Sequence, residues 1–206
     1  MRTSGTSFLM DQNEQVMASE ILVGMIATAS MVSALISKTT NCMSEYKKAV
    51  LAGGCFWGLE DLLKTRRGII DTEVGYCGGE NANPTSEQHP GHAEAVEITY
   101  DPEIIDYIHI LDFFFQIHNP TTLNQQGNDK GTSYRSAIFY GNDEERVLAE
   151  EMIAIVNASE RWANPVVTSL EPLSRFWMAE NYYQDYLQHH PGGYTCHAIY
   201  FDSYLD

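Results

Sequence analysis

The sequence predicts an α+β domain, a mixed β-sheet with helices packed on it, and three stretches carry that expectation. Ala93–Tyr100 alternates with period two, the mark of a half-buried strand. Glu103–His118 sets Ile105, Ile108, Leu111 and Phe115 along one helical stripe, and Asp143–Ala158 does the same with Leu148, Met152 and Ile155. These stretches define a class without fixing a strand order. At 206 residues the chain has room for one domain plus an appendage, and for a core that needs no staples.

Residues 1–44 read as the appendage and 45–206 as the domain. The appendage opens polar and then runs uncharged from Ile21 to Ser37. Seventeen uncharged residues diluted by Gly, Ala, Ser and Thr sit at the short end of the membrane-spanning range. Asp11, Glu14 and Glu20 stand where a secretory signal carries its basic region. A poorly ordered extension is the first reading, and a signal-like or anchoring helix the second.

Charge and cysteine usage narrow the function classes. Lys+Arg 12 against Asp+Glu 28 gives a net charge of −16, which repels phosphate backbones and argues against nucleic acid as a partner. The four cysteines, Cys42, Cys55, Cys77 and Cys196, match neither a zinc pattern nor a dense disulfide framework. Such sparse thiols suit a reducing, cytoplasmic compartment in which any disulfide is transient and catalytic.

Taken in order, Ala49–Ala52 reads as a short strand and Leu59–Lys64 as a helix, with Gly53-Gly54-Cys55-Phe56-Trp57-Gly58 between them. Cys55 therefore falls at a helix N-terminus, where amide N–H groups and the helix dipole favour thiolate, and the glycines allow a sharp turn. Phe56 and Trp57 can wall off a small apolar group. A buried structural Cys in a Gly-rich turn is the competing reading. Gly68–Tyr76 reads as a strand ending at Cys77-Gly78-Gly79, and Glu80–Pro90 as an aperiodic loop.

In the alternating strand, Glu94 shares a face with Val96, Ile98 and Tyr100, opposite Glu97 and Thr99. If that face is buried, desolvation raises the Glu94 pKa and makes it an acid near neutral pH. If the strand start lies at the sheet rim, Glu94 is simply solvated.

The following helix begins after Asp101-Pro102 and stops at Asn119-Pro120. His109 and His118 on it are expected to be packed or surface residues. A polar loop, Thr121–Thr132, leads to a short strand, Tyr134–Tyr140. Asn142 and Glu145 cap the helix Asp143–Ala158, Pro165–Leu170 reads as another strand, and Phe176–Leu187 reads as an aromatic helix. The tail from His189 to His197 holds three histidines and Cys196. A metal site is not expected there, because adjacent histidines in an extended segment point apart and Pro191-Gly192-Gly193 suggests a mobile loop.

Several of these stretches resemble the A-type peptide methionine sulfoxide reductases: Gly54-Cys55-Phe56-Trp57-Gly58, Gly91-His92-Ala93-Glu94, His118-Asn119-Pro120, Gly127-Asn128-Asp129 and Gly131-Thr132-Ser133-Tyr134-Arg135-Ser136. The resemblance runs from about Tyr46 to about His197. It implies a two-layer, ferredoxin-like sandwich, with Cys55 as nucleophile, Glu94 as proton donor to the sulfoxide oxygen, Tyr134 as a hydroxyl on that oxygen, and Asp129 orienting the centre. It also implies Cys196 as the resolving thiol, the S epimer at sulfur as substrate, free or within proteins, and thioredoxin as reductant. Phe56 and Trp57 would receive the S-methyl group.

Such a site needs neither metal nor organic cofactor, and dithiothreitol can stand in for thioredoxin. Thiolate attack on sulfur, with protonation of the oxygen, leaves methionine and a sulfenic acid on Cys55. Cys196 captures the sulfenic acid as a disulfide, and thiol–disulfide exchange restores the enzyme. The chain is expected to act as a monomer.

Two features depart from the family pattern. Asn83-Pro84-Thr85-Ser86 stands where the family has Asn-Pro-Thr-Tyr, so Ser86 takes the place of a second substrate-binding hydroxyl, and the loop up to Gly91 is short. Cys77 is read as a buried bystander. A thiol peroxidase using Cys55 with Cys77 or Cys196, and a non-catalytic redox sensor, are the rival functions.

Overall fold

The computed structural model describes residues 45–205, so the expectations for residues 1–44, Cys42 included, lie outside the described residues. Among the described residues, no helix is long and apolar enough to cross a membrane.

A six-stranded sheet forms the frame. Its strands are β1 (Lys47–Gly53), β2 (Ile69–Cys77), β3 (Ala93–Tyr100), β6 (Ser136–Tyr140), β7 (Ser169–Pro172) and β8 (Phe176–Met178). The spatial order is β7-β6-β1-β3-β2-β8. Only β6 and β7 run parallel; the other neighbours are antiparallel, so the sheet is mixed and the fold α+β. A small hairpin, β4 (Gln125–Gln126) with β5 (Asp129–Lys130), stands apart from it.

The period-two pattern of the central strands resolves into two buried faces. Leu51, Val74, Tyr76, Val96, Ile98 and Ile138 meet the helices α1 (Phe56–Leu63), α2 (Tyr107–Ile117) and α3 (Asp143–Ala158) in the main core. Val50, Ala52, Cys77, Ala95, Ala137 and Phe139 form a second cluster, closed by Leu173 and Phe176. Strands buried on both faces read as near-continuous apolar runs, as Ala49-Val50-Leu51-Ala52 does.

The helix ends follow local chemistry. Asn142 accepts the Glu145 amide at 2.9 Å while the Glu145 carboxylate accepts the Gly141 amide at 2.7 Å, a capping box displaced by one residue. The expected start of α2 at Glu103 is corrected to Tyr107. Asp101-Pro102 forms a turn instead, and Asp106, in extended geometry, takes the His109 amide as the true N-cap. His109 is exposed beside Asp106. His118 is fully buried, its Nδ1 2.6 Å from the Phe114 carbonyl and its Nε2 2.8 Å from the Ser136 hydroxyl.

Two further expectations change. The strand placed at Pro165–Leu170 lies at Ser169–Pro172, because β7 takes its register from β6, from Ala137 opposite Ser169 to Tyr140 opposite Pro172. The aromatic helix Phe176–Leu187 does not form. Phe176–Met178 instead adds an edge strand to β2, Asn181–Tyr183 makes a 3₁₀ turn, and only α4 (Tyr186–His189) is helical. Beyond the edge strand, Gln184 substitutes a side-chain amide for a backbone partner: its carbonyl accepts the Val74 amide at 2.8 Å and its NH₂ donates to the Val74 carbonyl at 3.0 Å. Satisfying the open edge of β2 outweighs the helical spacing of the tyrosines. Gln184→Ala is expected to lower stability by about 1–2 kcal/mol, read as a shift in the urea midpoint at unchanged slope.

Candidate active site

The site begins where β1 becomes α1. Gly53 closes the strand, Gly54 turns the chain at φ +113°, and Cys55 takes the N-cap position. A Cβ on Gly54 would lie 2.5 Å from the Gln126 side chain, so this position must be glycine for space as well as for conformation.

The first amides of a helix have no partner within it. Here the Phe56 N–H donates to Glu94 Oε2 at 3.1 Å, and the Trp57 amide favours a charged Cys55 sulfur. Glu94 reaches α1 because β3 lies next to β1 and its side chain falls on the helix-covered face with Val96 and Ile98. It is half-buried and stands opposite Tyr76 of β2.

A cavity of about 330 Å³ joins these groups, lined by Cys55, Phe56, Trp57, Glu94, Asp129 and Tyr134, with Ser86 on its wall. Burial pushes Glu94 up to about 7, against the pull of the Phe56 amide, which makes it the interior acid of the two alternatives raised by its parity. Tyr134, in the turn after β5, is pushed up to about 12 by burial and then by the Glu94 charge, so its hydroxyl keeps its proton.

Cys55 departs from the thiolate expected at a helix N-terminus. Its thiol, 6% exposed, is pushed well above the usual range, first by burial and next by the Glu94 charge, with the Trp57 amide opposing. Desolvation of a thiolate outweighs one amide and a short helix's dipole.

Ser86 lies against the cavity, but both its amide and its hydroxyl donate to Glu180 Oε1, at 3.0 and 3.1 Å. Its proton is therefore directed at Glu180 and not at a bound oxygen. Glu180 also accepts from Tyr76 at 3.2 Å. Asp129 receives the Tyr194 hydroxyl at 3.2 Å and acts on the Cys196 thiol, which also takes a hydrogen bond from the Cys55 backbone. The tail is thus anchored at the site where a mobile loop was expected. Cys77 is fully buried on the second face, its thiol on the Arg175 carbonyl, and is absent from the cavity lining.

Sequence reasoning missed several residues here. His89 stacks on Tyr76 and bridges the Thr85 carbonyl and the Ser133 hydroxyl. Tyr183 tilts against Phe56, and Tyr186 stacks on Trp57 with ring centroids 3.9 Å apart. The tyrosines were visible only as an aromatic cluster. Nothing local marked the loop histidine. Among the described residues, no group of His, Cys, Asp and Glu could hold a metal ion.

A thiol and a carboxylic acid, both held on one helix terminus and open to one aromatic-walled cavity, define a thiol-dependent oxidoreductase. The sequence profile of the peptide methionine sulfoxide reductases matches residues 47–203, and the chain belongs to that family. It is similar to the peptide methionine sulfoxide reductase MsrA of Mycolicibacterium vanbaalenii, at 59% identity over 155 residues, 75% of this chain and 92% of that protein. Among solved structures it resembles Mxr1 from Saccharomyces cerevisiae in reduced form, with a TM-score of 0.69 and 34% identity over 75% of this chain and 91% of that one. It also resembles Mxr1 in complex with Trx2, with a TM-score of 0.54 and 28% identity over 77% and 92%.

Gly54→Ala combines a left-handed backbone with a clash against Gln126. It is expected to cost about 2–4 kcal/mol in urea unfolding, with Gly53→Ala milder because its nearest contacts are the rings of Phe114 and His118.

Proposed function

We propose that the chain reduces the S epimer of methionine sulfoxide, free or within oxidised proteins, to methionine, with Cys55 as nucleophile and Glu94 as proton donor. One observation carries the reading: the Phe56 amide next to Cys55 ends on the Glu94 carboxylate, and both the thiol and that carboxylate line a single cavity. A sulfoxide placed there presents its sulfur to the thiol and its oxygen to the carboxyl. Phe56 and Trp57 form the apolar surface for the S-methyl group, a contact worth roughly 1 kcal/mol. The protonated Tyr134 hydroxyl donates to the oxygen, and Asp129 holds the rim through Tyr194 and Cys196.

Thiolate attack on sulfur, with the Glu94 proton moving to oxygen, leaves methionine and Cys55 as a sulfenic acid. Cys196 then forms a disulfide with Cys55 and releases water. A thioredoxin-type dithiol protein, or dithiothreitol, reduces the disulfide, a partnership supported by the occurrence of Mxr1 with Trx2. The scheme uses no metal or organic cofactor, and it suits a monomer in the cytoplasm. The order β6-β1-β3-β2, all antiparallel and backed by helices, supports the two-layer, ferredoxin-like description.

The direct test is a stereospecific assay on methionine sulfoxide beside Cys55→Ser, which should lose all activity; turnover of hydrogen peroxide in preference to sulfoxide would move the reading to a peroxidase.

The pH dependence follows from counting protons. The reactive form holds one proton on the pair, as thiolate with carboxylic acid. Below the Glu94 value of about 7 both groups are protonated, and the reactive share rises about tenfold per pH unit; above it that share stays level until the thiol titrates. Single-turnover methionine formation is therefore expected to climb to about pH 7 and then flatten. Glu94→Gln should lose this break and at least about 10² in rate. A rate that falls as pH rises through 7 would assign the chemistry to the doubly protonated pair. Cys196→Ser is expected to give one equivalent of methionine and then stall with thioredoxin; unaffected cycling would remove Cys196 from the scheme.

A further inference from the structure

The second chemical half of this reaction asks more of Cys196 than a position near Cys55. Its thiol is pushed up to about 12 by burial and by the Asp129 carboxylate. A thiol in that setting holds its proton at neutral pH, whereas attack on a sulfenic sulfur is made by the thiolate. Some group must take the proton.

The next residue in the chain is placed to do so. His197 is 7% exposed, and its ring sits against the two glycines that flank Cys55: a Cβ on Gly58 would fall 2.7 Å from Nδ1, and one on Gly54 3.4 Å from Cε1. At Gly58 only an unsubstituted backbone admits the imidazole, while at Gly54 a Cβ would meet it in ordinary contact. Nε2 lies 2.9 Å from the Gly53 carbonyl oxygen, which can only accept, so Nε2 carries the hydrogen. In the neutral ring Nδ1 then has a free lone pair, and Cys196 Sγ is 3.5 Å from it. The His197 amide is held in turn by the Thr195 hydroxyl at 3.1 Å. Both the tautomer and the orientation of the ring are thus fixed by groups outside the thiol it faces.

We infer that His197 is the general base of the resolving step, its Nδ1 taking the Cys196 thiol proton as that sulfur attacks the Cys55 sulfenic acid. The inference rests on the reductase reading and deepens it. In the step the Cys196–Cys55 sulfur bond forms and the sulfur–oxygen bond of Cys55 breaks. Cys196 is oxidised, the sulfenic sulfur of Cys55 is reduced by the same electron pair, and the departing hydroxide leaves as water on receiving the proton that His197 removed. No outside oxidant or reductant enters. Burial holds His197 down to about 4, so the ring is neutral, with Nδ1 unprotonated, before the step.

The test separates base from anchor with His197→Gln, which keeps an N–H for the Gly53 carbonyl and lacks the basic nitrogen. Prereduced wild type and variant are mixed with one equivalent of methionine sulfoxide and quenched over time. Methionine, the Cys55 sulfenic acid trapped by a cyclic 1,3-diketone, and the 55–196 disulfide are then read by mass. The expected result is a fall of about 10² in the rate of disulfide formation relative to methionine formation, with trapped sulfenic acid accumulating. A ratio equal to that of wild type overturns the inference and leaves the reductase reading in place. Absence of methionine from wild type removes both.

Should the variant not fold, the infrared S–H stretch of reduced wild type, assigned to Cys196 by its loss in Cys196→Ser, serves instead. Because the Asp129 carboxylate also faces this thiol, the band is read in Asp129→Ala as well: a band still shifted below that of an unbonded thiol is expected, and one at the unbonded position overturns the proposal.

Discussion

Everything at the site depends on the unpaired amides that open α1. A helix start leaves N–H groups that must find acceptors, and here the first is met by a carboxylate from the neighbouring strand while the next favours charge on the N-cap sulfur. The geometry is enforced from behind. The Gly53 carbonyl accepts Gln126 at 3.2 Å and His197 at 2.9 Å, so the loop after α2 and the C-terminal tail both clamp the residue two before the nucleophile. Antiparallel pairing of β1 with β3, Leu51 opposite Val96, then brings Glu94 alongside the start of α1.

The same burial that shapes the cavity sets its proton affinities. Removing water raises the carboxyl and the thiol together, the Glu94 charge raises the thiol further, and the Asp129 charge raises the carboxyl. The carboxyl therefore loses its proton well before the thiol does. An isolated Cys at a helix N-terminus would be a thiolate; this one is held neutral until a substrate gives the proton somewhere to go.

Much of this was legible in the residues. The Ala93–Tyr100 strand and the Asp143–Ala158 helix have the bounds their patterns gave, because both patterns are local and the helix is capped at its start by the neighbouring Asn142. Cys55 and Glu94 stood out for the same reason: one sits in a turn motif and the other on a strand whose parity decides its face. The tyrosines at 182, 183 and 186 misled, since their spacing is helical while the open edge of β2 claimed the segment. Glu180, which holds both Ser86 and Tyr76, lies 94 residues from the first and 104 from the second, and no local pattern announces such a partner. The fit of His197 against Gly58 is equally remote: the glycine was explained by the turn alone, and only the folded chain supplies the ring that needs its bare backbone.

The stack of Trp57 on Tyr186 gives the molecule an optical handle. Of the three tryptophans, Trp162 packs among Phe201 and Tyr204 and Trp177 lies under the Arg175 guanidinium, neither of them lining the cavity, while Trp57 is part of its wall. Its indole N–H is buried without a hydrogen-bond partner among the described residues. Emission from this one chromophore therefore senses whatever enters the cavity, against a background from two emitters that do not, so occupancy can be followed by fluorescence without attaching a dye.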